Sequence, residues 1–377
     1  MRVCSLSSVQ NRIVLGQPLS FSVRDAEHQV LLAPGQLIRD EAQLRDLMAL
    51  GALVPIDELR EAFHRERREA PSRQPARLPA AWEHLTLAIR QALCAPAAEM
   101  AQALDGATDE LLSLIDQSLE LALSQVVHQS SSGAGHYGVN HAIHTATACL
   151  AAARQLGWQA REQRCAVQAA LTMNLSILDL QARLANQVSP LTAKQREAIQ
   201  EHPLRSAEML IEAGITDGDW LDAVRQHHET PSGSGYPNQL TAVGEIAELL
   251  RCADVYTARL SRRANRAAMS AQQAGRGLHQ IANASPRAAA VIKAFGIFPP
   301  GSRVRLASGE LGVVVRHGEK VHHPRVVALT NGAGEPHPEP VLRDSARQEH
   351  AVVALLSPDT IPVRLTDAKL AELIVGA

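Results

Sequence analysis

The chain has 377 residues, a formal net charge of −2 and five scattered cysteines. That length exceeds an average domain, the near-neutral charge argues against a bulk electrostatic grip on nucleic acid polymer, and thiols without a Cys-x-x-Cys pair indicate neither a disulfide framework nor a zinc knuckle. Hydrophobic residues make up 46% but aromatics only 3%, so the core has to be built from Leu, Ala and Val, which suits packed helices.

Residues 1–64 read as a small α+β module. Short β-type runs at 12–15, 19–24 and 28–32 are broken by Gly16-Gln17-Pro18 and Pro34-Gly35. Asp40 as N-cap and the spacing of Leu44, Leu47, Met48 and Leu50 predict a helix over 41–50. Residues 65–80 are charged, Pro-rich and without apolar periodicity, the composition of a linker. From 81 to 297 helical periodicity dominates, with helices predicted at 82–93, 108–128, 138–156, 161–172, 193–213 and 243–262, and a loop at 130–135. Residues 298–377 change to a β pattern, with strands predicted at 303–306, 312–316, 325–329 and 352–355. His317, His322 and His323 in that tail read as surface residues. The N-terminus lacks a basic-then-apolar signal pattern, and no stretch approaches the roughly 20 apolar residues of a membrane span. A cytoplasmic protein with no membrane partner is expected.

The chemistry concentrates at 227–237, His-His-Glu-Thr-Pro-Ser-Gly-Ser-Gly-Tyr-Pro. The preceding 219–226 has helical composition, so His227 and His228 should close a helix. Neighbouring side chains on a helix diverge by about 100°, so two adjacent imidazoles can reach one ion only where the helix ends. Gly233 and Gly235 permit backbone angles closed to other residues, and Pro237 restricts the exit. For a lone histidine, complementing the helix dipole ahead of an ordinary turn would be sufficient.

The pattern His-His-Glu-x-x-x-Gly-x-Gly-Tyr-Pro resembles the signature of the HD-GYP family, bacterial metal-dependent phosphodiesterases acting on cyclic di-GMP. The likeness runs from about Tyr137 into the β tail, and residues 13–54 resemble the usual N-terminal companion. It implies a metal site of His141, ahead of the Leu156-Gly157 helix end, His202 before Pro203, His227, His228 and Asp254. It also implies ligand contacts from Gly235, Tyr236 and Pro237, and phosphate contacts from Arg263 and Arg266. His144 lies one turn beyond His141 and reads as an accessory or exposed histidine.

The departure lies where the family has His-Asp-x-Gly-Lys, in which the histidine binds one metal and the aspartate bridges two. Here the segment is Met173-Asn174-Leu175-Ser176-Ile177. A thioether is a poor partner for the harder divalent ions, and a neutral amide cannot offset two cations as a carboxylate does. Ser176 and Ile177 also remove the lysine. The expectation is therefore a mainly α protein: an all-helical HD-type domain with a small N-terminal α+β module and a C-terminal β tail packed on it. It would hold one divalent ion, iron, manganese or zinc, in place of a binuclear centre. As a degenerate member it would bind cyclic di-GMP, or a signalling partner such as a diguanylate cyclase, with hydrolysis weak or lost. The alternative is an active metal-dependent cyclic di-GMP phosphodiesterase using a reduced site.

Overall fold

The structure, a computed structural model, describes residues 3–59, 78–128, 137–264, 266–282, 285–320, 322–356, 363 and 365–377. Its centre is helix α5 (Tyr137–Gln155), buried along nearly its whole length. Ala142, Ala146, Ala148, Ala151, Ala152 and Ala153 are all within the core. Small side chains let neighbouring helices approach on every side, while alanine keeps helix propensity high. Aromatic residues are hardly needed in such a core.

Around α5 lie α6 (Ala160–Thr172), α10 (Glu245–Leu260) and α12 (Pro286–Phe295), which pack on it directly. Helices α8 (Ala193–Glu212) and α9 (Gly218–Gln226) pack on each other, and α9 also packs on α6 and α10. Their starts are determined locally. Thr192 and Gln195 form a capping box on α8, and the Asp217 carboxylate accepts from the N–H groups of Asp219 and Trp220 at the head of α9. Trp220 Nε1 donates to Thr172 Oγ1 at 2.9 Å, tying the end of α6 to α9.

The remaining helices are α2 (Leu78–Leu93), α3 (Ala97–Gln117), α4 (Leu119–His128), α7 (Leu178–Ala185), α11 (Ala271–Ile281) and α13 (Asp367–Val375), with α1 (Glu41–Ala49) in the N-terminal module. The continuous helix predicted at 108–128 is two helices. Ser118 is extended, with φ −161° and ψ 99°, and its hydroxyl accepts from Leu121 N–H to start α4. The segment predicted as linker lies outside the described residues except 78–80, which begin α2 because Leu78 and Trp82 are buried there. The 130–135 loop also lies outside them.

The C-terminal sheet has the antiparallel order β8 (Pro336–Asp344), β7 (Arg325–Thr330), β6 (Leu311–Arg316), β5 (Arg303–Leu306), β9 (Val352–Leu355). Alternation assigns its two faces. Val313, Val315, Val327 and Leu329 join the helical core, whereas Val304, Leu306, Val314 and Val326 form a separate cluster on the other side. Sequence patterning finds four of these strands but misses β8, whose Pro-His-Pro-Glu-Pro start carries no strand pattern, and misses α13. His317 is half-buried rather than on the surface, with its Nε2 3.0 Å from the Phe295 carbonyl.

The N-terminal sheet has the order β1 (Val3–Ser5), β4 (Leu53–Pro55), β2 (Val23–Arg24), β3 (Val30–Leu32), over its own core of Leu6, Phe21, Ile38, Val54 and neighbours. Helix α1 is capped by Asp40 as the sequence predicts. The run predicted at 12–15 is not a strand, since a 3-10 turn occupies Leu6–Arg12, and that at 19–24 shrinks to Val23–Arg24. Local β propensity lacks partners there; the pairing edge is supplied by β4, 29 residues after Arg24 in the register Arg24 to Leu53.

Candidate metal centre

Helix α8 presents His202, the end of α9 presents His227 and His228, α5 presents His141 and α10 presents Asp254. One coordinating atom from each of His202, His227 and His228 lies within 4.8 Å of the others. The helix ends at His227, so the adjacent imidazoles need not diverge, and their ring centroids are 4.1 Å apart. His202 lies 5.0 and 5.1 Å from them by the same measure.

The backbone decides which ring nitrogen points inward. Pro203 has no N–H, so the Ile199 carbonyl loses its helical donor, and His202 Nδ1 takes its place at 2.6 Å. At the end of α9 the last carbonyls also lack helical donors, and His227 Nδ1 reaches Val224 O at 2.7 Å. A carbonyl can only accept, so in both rings Nδ1 carries the proton. The two Nε2 atoms, each with a bare lone pair, then face one another at 3.1 Å. Two lone pairs at that distance repel unless a cation joins them, and this orientation by outer hydrogen bonds is how metal-binding histidines are held.

Burial keeps these rings neutral. It pushes His202 down to about 3, with His227 adding to the effect. It lowers His227 as well, and it lowers His228 strongly, with His227 again contributing. Neutral imidazole is the ligand form.

His141 Nε2 lies 2.7 Å from Asp254 Oδ1, and its Nδ1 is buried without a hydrogen-bond partner among the described residues. Asp254 is nearly enclosed. Burial would raise its carboxyl, but the hydrogen bond with His141 outweighs that and holds it well below the ordinary range. His144 is half-buried, and burial together with His141 pushes it to about 3. The donor set thus fits a divalent ion: three neutral imidazoles with a carboxylate and a fourth imidazole alongside.

The turn after α6 differs. Met173 is fully buried within the apolar core, and Asn174 is 7% exposed at the following turn. That turn is held against α8, because Ser176 N–H donates to Ser206 Oγ at 3.1 Å and Ser176 Oγ donates to the His202 carbonyl at 3.2 Å. The turn is fixed beside His202, and its side chains supply packing and an amide.

The glycine loop closes over the histidines. Glu229, 1% exposed, accepts from Asn238 N–H at 2.6 Å and Leu240 N–H at 3.0 Å, stitching the loop's return to its start. A Cβ at Gly235 would stand 2.5 Å from both Glu229 Cα and the His228 carbonyl, so only glycine fits. Tyr236 consequently lies on His228, centroids 4.5 Å apart and planes 25° from parallel. The Tyr236–Pro237 peptide is cis.

The two arginines diverge in use. Arg263 and Arg266 exchange both backbone hydrogen bonds, at 2.9 and 3.1 Å, in a tight turn. Arg266 donates from Nη2 to the Ala258 carbonyl at the end of α10, and its Nε is buried without a partner among the described residues. Arg263 Nε donates to the Tyr137 hydroxyl at 3.1 Å, with the guanidinium 5.5 Å from that ring's centroid. Tyr137 in turn stacks on His141 at 5.9 Å with planes 12° apart.

Sequence reading misses the structural parts played by Glu229 and Tyr137. Tyr137 had a signal, since it stands four residues before His141 and shares its helix face. Glu229 had none, because the N–H groups it satisfies arise only once the loop has turned.

Residues 111–284 match the model of the HD domain family. The likeness to that family covers a little under half of the chain. Among characterised relatives, the cyclic di-GMP phosphodiesterase PA4108 of Pseudomonas aeruginosa strain PAO1 is 30% identical over 239 residues, covering 61% of this chain and 57% of that protein. The match thus spans little more than half the length of this curated relative. Among solved structures, Bd1817, a HDG"Y"P protein from Bdellovibrio bacteriovorus, aligns over 77% of this chain and 98% of its own, at 14% identity and a TM-score of 0.48.

Proposed function

We propose that this chain is a degenerate HD-GYP protein of bacterial cyclic di-GMP signalling, a regulator that binds the dinucleotide at a site holding one divalent ion, with hydrolysis weak or lost. The observation that carries this reading is the asymmetry of the pocket. The Nε2 lone pairs of His202 and His227 converge at 3.1 Å with His228 beside them, while Met173 and Asn174 occupy the positions of the family's metal-binding histidine and bridging aspartate.

A bound divalent ion supplies Lewis acidity toward a phosphate oxygen. His202, His227, His228 and Asp254 hold it, with His141 orienting Asp254. Tyr236 shields His228, and Arg263 meets a ligand phosphate through its planar fork. A second cation is disfavoured because Asn174 brings no charge and Met173 brings a soft sulfur buried in apolar packing. Iron, manganese and zinc all suit the imidazole-rich set. A diguanylate cyclase is a fitting protein partner for a non-hydrolysing form. Among the described residues no helix is long and apolar enough to cross a membrane, which supports a cytoplasmic setting.

The second reading, an active phosphodiesterase with a reduced site, is favoured by the likeness to PA4108. Incubating metal-loaded protein with cyclic di-GMP separates the two. The regulator reading expects calorimetric binding without turnover, whereas linear pGpG released over many cycles would replace it with the enzyme reading.

A further inference from the structure

We propose that Tyr137 is a positioning residue that holds Arg263 against the metal site and selects which edge of its guanidinium meets the ligand. This inference rests on the reading above that Arg263 contacts a phosphate.

Tyr137 is the first residue of α5 and stands one turn before His141 on the same face, so its ring lies parallel to the imidazole at 5.9 Å. That stack fixes the phenol plane. The hydroxyl accepts from Arg263 Nε at 3.1 Å, and the guanidinium carbon stands 5.5 Å from the ring centroid. An arginine can offer an anion either its Nε and Nη2 edge or its two Nη groups. With Nε committed to Tyr137, the terminal Nη pair is the free bidentate edge. The backbone of Arg263 is itself locked by its paired hydrogen bonds with Arg266. A long, rotamer-rich side chain is thereby ordered before any ligand arrives, and that ordering is the part of binding which otherwise opposes affinity. The series from Arg263 through Tyr137 and His141 to Asp254 also spans 126 positions of chain, from residue 137 to residue 263, joining the phosphate arm to the metal ligands through side chains alone.

The test is isothermal titration of cyclic di-GMP into the full metal-loaded chain, comparing wild type, Tyr137→Phe, Arg263→Ala and the double variant, with metal content measured on each. Phenylalanine keeps the stack on His141 and removes only the hydroxyl. Tyr137→Phe is expected to weaken binding about tenfold, the order of one hydrogen bond to a charged group, with metal content unchanged. The double variant is expected to bind no more weakly than Arg263→Ala, because Tyr137 acts through the arginine. Wild-type affinity in Tyr137→Phe, or additive losses in the double variant, would overturn the proposal. If the wild type binds no cyclic di-GMP, the functional reading fails on its own, and the positioning claim is decided without ligand. An Arg263 Nε–H signal protected from solvent exchange, assigned by its absence in Arg263→Lys, should lose that protection in Tyr137→Phe. Equal protection in both proteins would contradict it.

Discussion

The histidine cluster and the turn after α6 both pack on α8 and differ in chemistry. On one side a proline and a helix end release the Ile199 and Val224 carbonyls, those carbonyls fix the protons of His202 and His227 on Nδ1, and the bare Nε2 atoms converge. On the other side the turn after α6 is still pinned to α8 through Ser176, yet it presents Met173 to the core and Asn174 beside it. Fold and metal chemistry are therefore separable here. Methionine at 173 leaves the packing satisfied, because an enclosed thioether needs no partner, whereas an enclosed imidazole without metal or hydrogen bond costs free energy.

The strongest way to break the histidine cluster is His227→Ala, which removes the ring whose lone pair opposes that of His202. Metal affinity is expected to fall more than about 100-fold, since even outer-shell partners of metal ligands contribute 10–100-fold; equilibrium dialysis against the metal checks it. Met173→His with Asn174→Asp works on the turn after α6 from the other direction. It should raise the metal content above that of the wild type, measured by plasma mass spectrometry. Unchanged content would mean that the turn no longer points these positions into the pocket. Glu229→Ala tests whether the loop is held independently of the cluster and the turn. It leaves the Asn238 and Leu240 N–H groups without their acceptor and should lower stability by about 2–3 kcal/mol in urea unfolding.

The smallest effect is in pH. His202 is lowered to about 3 in the folded chain from an ordinary value of 6.5, and His227 and His228 are lowered too. Between those limits the unfolded chain binds protons that the folded chain refuses, so stability falls as pH drops through that window. Asp254, held below the usual carboxylate range, adds stability that is present above its unfolded value and is lost only in stronger acid. Metal-free protein should melt about 3–6 °C lower at pH 5.5 than at pH 7.5. A flat profile would mean that the rings are not sealed from water.

That His202, His227 and His228 lie together follows the expectation from the resemblance, and each has a local signal beside it: Pro203 after His202, paired glycines after His227 and His228. The helical body was legible through its periodicity. What escaped depends on partners distant in the chain. Strand β1 acquires its identity from β4, roughly 50 residues on in the register Val3 to Pro55. Arg266 looked equivalent to Arg263 by spacing, yet folding turns it to the end of α10. Glu229 acquires its partners only when the loop closes and buries it.

A single ion beside His202, His227 and His228 is tested most directly by metal stoichiometry on the 377-residue chain, loaded in turn with iron, manganese and zinc and freed of excess. A plateau at a single tightly held ion per chain is expected. A plateau at two ions per chain would contradict it, because Met173 brings only a soft sulfur and Asn174 no charge to a second site.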